Sequence, residues 1–200
     1  APPRVASFLA GRRCAAAALR AAGAGDAAAS PTAVGLGDDG APVWPAGWVG
    51  SITHTADRAV AVVARTASHA GVGIDCERVA APEVAREIEA LVLGPAERAL
   101  LAAAGARVPW AALVTLAFSA KESLYKCLRP HVGAFFDFAD AHVVRLEPDQ
   151  GVLTLRLVRP LAAALPAGTT LDAHFAVDAV HVHTLVELAT PARRTPWRAP

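Results

Sequence analysis

Twice along the chain a helical pattern is followed by strands, once on each side of about residue 106, and this order restricts the fold more than any other feature. In the first stretch, "RVASFLAGRRCAAAALRAAG" consists of good helix formers and reaches a natural stop at Gly23. Gly, Pro, Asp and Ser recur from Gly23 to Gly47, which reads as a long loop of the kind compact domains keep for functional or mobile segments. "RAVAVVAR" and "AGVGIDCER" then read as strands, the first so uniformly apolar that burial is expected. Two helices entered by proline follow, "APEVAREIEALVLG" and "GPAERALLAAAG", the second closing at Gly105. In the second stretch a helix is predicted over Trp110 to Leu128, stopping before Pro130. Four strand-like runs come after it: "AHVVRLE", "GVLTLRLV", "LDAHFAV" and "VHVHTLVEL". The expectation is an α+β fold of two similar helix-plus-antiparallel-sheet halves, 1–105 and 106–200.

A length of 200 residues suffices for one substantial domain or two small halves sharing a core. No uninterrupted apolar run of about 18 residues occurs, and the N-terminus lacks the zones of a signal peptide. The chain therefore reads as soluble and cytoplasmic, with no membrane partner. A formal charge of +1 argues against nucleic acid as a partner, while leaving room for a small basic pocket. Three cysteines without a CxxC pair suggest neither a disulfide framework nor a zinc site, so they read as small buried hydrophobes. Methionine is missing altogether, position 1 included, and an N-terminal segment is expected to be absent from this chain.

Several short motifs combine chemistry-bearing residues. In "GIDCE", strand alternation puts Asp75 and Glu77 on one face, with Cys76 opposite. Neighbouring carboxylates repel unless a cation or proton lies between them, which suits magnesium; a solvated strand end has the same spacing. The chain's two lysines, Lys121 and Lys126, both fall in "FSAKESLYKCL", although it holds 19 basic residues. Glu122 and Lys126 share a helix face at i and i+4, as an ordinary surface ion pair also would. Lys121 lies about a quarter-turn from Glu122, within reach of another part of the same ligand. Lysine in an arginine-dominated chain suggests a need for a point charge or a transferable proton. "GSITHT" sets His54 among Ser51, Thr53 and Thr55, a combination that suits a phosphate site or a structural histidine. Arg12, Arg13 and Arg20 on the first helix are candidate anion contacts or solvated surface charges. His181 and His183 share a strand face but lack a matching third ligand nearby, so a solvated strand is the better reading.

Taken in order, "FLAGRRCAAAAL", "VWPAGWVGSITHT", "VGIDCE" and "LAFSAKESLYKC" resemble the 4′-phosphopantetheinyl transferases, and more narrowly the subgroup typified by the transferase of enterobactin synthesis. The family signature is a G-I-D-x-E strand followed, about forty residues later, by W/F-x-x-K-E-(A/S)-x-x-K, here Gly73 to Glu77 and Phe118 to Lys126. The resemblance implies halves related by pseudo-twofold symmetry, with the site in the cleft between them. It implies transfer of the phosphopantetheine arm of coenzyme A to a serine of an acyl or peptidyl carrier protein, releasing 3′,5′-ADP, by a magnesium-dependent monomer. By the same resemblance Asp75, Glu77 and Glu122 match the magnesium carboxylates. Glu122 is also matched to the base for the serine, directly or through a metal-bound water. Lys126 matches the pyrophosphate lysine, and Lys121, the partner of Glu122 in K-E, is carried over with them as a catalytic residue. Thr53 and His54 match a coenzyme A phosphate site, and Arg12 and Arg20 match contacts to the 3′-phosphate. Ala16 and Ala41 depart from relatives that carry basic residues there. The alternative readings are a catalytically silent module binding coenzyme A or a carrier protein, and a metal-dependent nucleotide hydrolase. The carrier's pathway, whether siderophore, polyketide or peptide, is not specified by these motifs.

Overall fold

Small and apolar residues at Gly11, Ala15 and Leu19 recur every fourth position and are buried along one face of the first helix, α1 (Pro3–Ala21). The structure is a computed structural model and describes residues 3–24, 33–104 and 108–190. Gly23 ends α1 as its position in the sequence predicts, with a φ of 78° that costs glycine little. Where the sequence suggests an unbroken loop there is a minimal ribbon, β1 (Gly35–Leu36) with β2 (Pro42–Val43). "WVGSITH" forms a further unforeseen strand, β3 (Trp48–His54), paired antiparallel with β4 (Ala59–Arg65). The buried stripe of α1 packs on this hairpin, and the Cys14 thiol donates to the Ala59 carbonyl. Full burial is not the outcome for β4: its residues are half-buried, because it belongs to a two-stranded sheet rather than to the interior of a larger one.

The main sheet has five antiparallel strands in the order β5-β9-β8-β7-β6. They are β5 (His69–Arg78), β6 (Ala141–Glu147), β7 (Val152–Leu157), β8 (Thr170–Val177) and β9 (His181–Ala189). A strand from before residue 106 therefore completes a sheet otherwise built after it. Three helices separate β5 from β6: α2 (Pro82–Val92), α3 (Pro95–Ala104) and the long α4 (Trp110–Val132). Gly105, the expected stop of α3, lies outside the described residues. The core forms where α4 crosses the sheet, burying Leu116, Leu124 and Leu128 against Leu155, Val182 and Val186. Each such side chain contributes about 1.5–3 kcal/mol.

The sequence misleads in two details. Pro130 lies inside α4, which continues to Val132 and closes at Gly133 in the left-handed region, its N–H donating to the Arg129 carbonyl. A proline one turn from the C-terminus deletes a single hydrogen bond, and the apolar face of α4 outweighs that loss. His181 is buried, with Nε2 3.2 Å from Asp57 Oδ1, and His183 Nε2 lies 3.0 Å from an Arg58 nitrogen, so "HVH" is not a solvated strand. The β3–β4 turn folds over the start of β9 and supplies both partners. Among the described residues no helix is long and apolar enough to cross a membrane.

Candidate active site

Two glycines let the site form. On β5, a Cβ at Gly73 would stand 1.9 Å from the Ser123 carbonyl oxygen, and one at Gly71 would stand 2.5 Å from that of Cys127. The strand therefore lies directly on the backbone of α4, and the next residue on the same face, Asp75, meets the helix. Lys126 Nζ donates to Asp75 Oδ1 at 2.6 Å and to the Ile74 carbonyl at 3.3 Å. The expected i,i+4 partner Glu122 is thus passed over for a carboxylate on the adjacent strand. Hydroxyls fix the rotation of α4: Ser123 Oγ donates to the Thr184 carbonyl of β9 at 3.0 Å, and Thr184 Oγ1 donates to the Ser119 carbonyl at 2.9 Å.

Asp75 is 2 % exposed, and its two oxygens are treated differently. Oδ1 also accepts from Thr53 Oγ1 at 3.1 Å, while that hydroxyl accepts from the Cys76 N–H at 3.2 Å. Oδ2 is buried with no hydrogen-bond partner. Glu77 and Glu122 stand close enough to feel this charge. Burial, with Asp75 and Glu122 adding to it against Lys126, pushes the Glu77 carboxyl up to about 7. Burial likewise raises Glu122, opposed by Lys126 and assisted by Asp75. The donors are hard oxygens with excess negative charge, the chemistry that suits a small divalent cation. Among the described residues, no three His, Cys, Asp or Glu side chains are grouped so that they could hold a metal ion as they stand.

A cleft of about 1000 Å³ runs between the β1–β2 ribbon and β3 on one side and the second half of α4 on the other. Glu122 and Lys126 line it. A smaller pocket of about 130 Å³ shares Glu122, Tyr125 and Phe135 with the cleft and is otherwise lined largely by Phe136, Phe138 and their neighbours. Of the other sequence candidates, Lys121 lines the smaller pocket beside Glu122 and Thr53 meets Asp75, whereas the rest lie elsewhere. Lys121 Nζ donates to Glu97 Oε1 at 2.8 Å, to the Val92 carbonyl at 2.6 Å and to the Phe138 carbonyl at 3.0 Å. Those three acceptors use all the donors an ammonium has, and none of them belongs to the carboxylate group. Thr53 faces Asp75, whereas His54, its neighbour on β3, is exposed on the opposite side. One phosphate cannot meet both from a single face of the strand. Arg12 lies over the Phe8 ring, 4.9 Å from its centroid, and has a buried Nη1 without a partner; Arg20 is exposed at the end of α1.

Sequence reasoning missed three residues at or around the site. Glu97 gives no local signal, because on an amphipathic helix it looks like one more surface acid. Asp39 and Arg129 are ion-paired at 2.8 Å across the mouth of the cleft, 90 residues apart in the chain. No short motif links positions so far apart.

Comparison with known proteins accords with this arrangement. Residues 1–64 match the model of the 4′-phosphopantetheinyl transferase N-terminal domain, and residues 71–178 match that of the 4′-phosphopantetheinyl transferase superfamily. The chain is 37 % identical to 4′-phosphopantetheinyl transferase Svp of Streptomyces mobaraensis over 194 residues, 96 % of this chain and 75 % of that protein. It is 34 % identical to enterobactin synthase component D of Salmonella typhimurium over 193 residues, 96 % of this chain and 74 % of that protein. With 4′-phosphopantetheinyl transferase Npt of Nocardia iowensis it shares 36 % identity over 137 residues, 68 % of this chain and 57 % of that one. A superfamily model that covers the strand with Asp75 and the helix with Lys126, and two relatives matched over most of their length, show that the chain belongs to the 4′-phosphopantetheinyl transferase superfamily.

Proposed function

We propose that the chain moves the 4′-phosphopantetheine arm of coenzyme A onto a serine of an apo acyl or peptidyl carrier protein, releasing 3′,5′-ADP, and that it works as a cytoplasmic monomer. The observation that carries this reading is the state of Asp75. One oxygen is held by Lys126 and Thr53 while the other is buried and unpartnered, behind a cleft large enough for a nucleotide-sized ligand. That free oxygen and the two raised carboxylates fit Mg2+, with Asp75, Glu77 and Glu122 as the residues that would hold it. When bound, the cation supplies charge neutralisation on the pyrophosphate.

The chain's own residues supply the rest. Phosphoryl transfer depends mainly on positioning and charge stabilisation. Lys126 spends two of its three N–H donors on Asp75 and the Ile74 carbonyl, which leaves one for a ligand phosphate on the cleft side. It would neutralise or protonate the leaving phosphate, a task for which arginine is a poor substitute because it does not readily release a proton. Glu122 borders both the cleft and the smaller pocket, so a serine hydroxyl and a phosphate can approach it from different sides. Its raised proton affinity makes it a better base for that hydroxyl than an ordinary carboxylate. Arg12 offers a buried, unpartnered N–H donor for the 3′-phosphate; Arg20 and His54, both exposed, would meet the ligand only where it leaves the cleft.

The test is mass spectrometry of an apo carrier protein incubated with this chain, coenzyme A and Mg2+. The expected result is the mass gain of one phosphopantetheine. No gain on a panel of carriers from several pathways would overturn the proposal. Tight binding of coenzyme A without turnover would point instead to a silent binding module.

A further inference from the structure

The face of α4 that carries Glu122 and Lys126 does not end there. Arg129 lies three residues beyond Lys126, about 60° round the helix and about 4.5 Å further along its axis. Glu122, Lys126 and Arg129 all line the cleft, so the helix presents one carboxylate and then two cations in a row. Among the described residues, Lys126 and Arg129 are the two cations lining it. Arg129 already holds an anion. Its Nη2 is 2.8 Å from Asp39 Oδ2 and 3.5 Å from the Asp39 carbonyl, and both side chains are partly open to solvent, at 34 % and 59 %. An ion pair this exposed is weak, because water screens it and two side chains must be ordered to make it. A phosphate with two negative charges, entering the same cleft with Lys126 beside it, is the stronger partner for a guanidinium.

We propose that Arg129 is a binding residue for a phosphate on the nucleotide side of the ligand, and that Asp39, on the turn between β1 and β2, is its internal competitor. This rests on the reading of the cleft as the coenzyme A site and adds a contact that the sequence motifs do not contain. Lys126, bound to Oδ1 of Asp75 beside the unpartnered Oδ2, faces the phosphate being broken away. Arg129, one turn on, holds the departing nucleotide. The ligand displaces Asp39 from the guanidinium, which frees the ribbon turn on binding and lets it return afterwards. Asp39 therefore weakens capture of the ligand and speeds product release.

Opposite signs in two variants test this. Calorimetric titration with coenzyme A is expected to show Arg129→Gln binding about tenfold or more weakly than the parent. Asp39→Asn should bind a few-fold more tightly, in the range of a lost surface ion pair. The double variant should follow Arg129→Gln, because no guanidinium is left to release. In steady-state assays Arg129→Gln raises KM for coenzyme A more than it lowers kcat. Repeating the titrations with dephospho-coenzyme A identifies the phosphate: a persistent Arg129 effect assigns the pyrophosphate, and a vanished one assigns the 3′-phosphate. If both single variants weaken binding together, the pair is only a structural tie and the proposal falls. It also falls if Arg129→Gln binds like the parent. A parent chain that neither binds coenzyme A nor modifies any carrier removes the underlying reading as well, an outcome distinct from normal binding with the wrong signs.

Discussion

Lys121 and Lys126 leave α4 on different sides, and each meets a carboxylate that is almost fully buried: Glu97 at 2.8 Å for the first, Asp75 at 2.6 Å for the second. Around Lys121 every polar atom is used. Its ammonium has three acceptors, while Glu97 also accepts from the Val143 N–H through Oε1 and from the Gly94 N–H through Oε2. Both side chains are nearly inaccessible, at 2 % and 3 %. The Lys126 pair is lopsided: the lysine is 27 % exposed, one oxygen of Asp75 carries two contacts, and the other carries none. Two ion pairs of the same type thus differ in saturation. The closed one ties α3, α4, β6 and the end of α2 together, and the open one keeps a donor and an acceptor available for a ligand.

The largest expected effect comes from breaking the closed pair. Glu97→Gln or Lys121→Met strands a buried charge and should cost about 3–5 kcal/mol of folding stability, read from the denaturant midpoint. Replacing both partners with apolar residues of similar volume should recover much of the loss. Turnover per folded molecule should stay near the parent value. A Lys121→Met protein with parental stability and no turnover would make Lys121 a chemical group and abolish the distinction. Next in size is the open pair. Lys126→Ala should lower kcat about 10²–10³-fold and also lower the midpoint, because Asp75 is as buried as Glu97 and loses its ammonium, and Lys126→Arg should restore only part of the kcat. Glu122→Gln should fall by about 10²–10⁴, as expected when a base is made neutral.

Part of this division is present in the sequence. Five residues along a helix turn Lys121 about 140° away from Lys126, a spacing that weighs against the expectation that Lys121 reaches the same ligand. The order of helices and strands follows from periodicity, and the grouping of Asp75 and Glu77 on one face follows from strand alternation even though burial along β5 does not alternate. Three things were not legible. The strand character of "WVGSITH" is masked by small hydroxyl residues that earn their place by packing and hydrogen bonding, as Thr53 does on Asp75. The helix continues through Pro130 because tertiary burial of α4 overrides a local breaker. The partner of each lysine depends on chain crossings that bring residues 75 and 126, or 97 and 121, together. Local pattern carries no information about such crossings.

A smaller effect distinguishes the pairs by pH. The Glu77 carboxyl rises from its ordinary 4.5 to about 7 in the folded chain. Between those values the native state holds a proton that the unfolded chain has released. Without divalent cation, stability contributed by this group is therefore complete below about 4.5 and is lost as pH rises towards about 7. Mg2+ bound at that carboxylate must displace the proton, so its stabilising effect should grow over the same window. Thermal melts with and without Mg2+, at about pH 5 and about pH 8, check both signs. A Mg2+ effect of equal size at both pH values would remove Glu77 from the cation's ligands, and Glu77→Gln should flatten the metal-free profile.

The smallest change decides what Thr53 does. If its hydroxyl orients Asp75, Thr53→Val removes one hydrogen bond to a carboxylate and leaves the Cys76 N–H unmatched, for about 1–2 kcal/mol of stability. The loss should then appear in Mg2+ affinity and kcat, because a carboxylate with one oxygen less constrained presents the other less reliably. Thr53→Ser keeps the hydroxyl and should stay close to the parent. If Thr53 instead touches a phosphate of coenzyme A, the same valine raises KM for coenzyme A and leaves Mg2+ affinity alone. The 3.1 Å contact to Oδ1 favours the first outcome, since a hydroxyl has one proton and here it is given to Asp75. Oδ1 then stays occupied from two directions, and Oδ2 is the oxygen left free for the proposed cation.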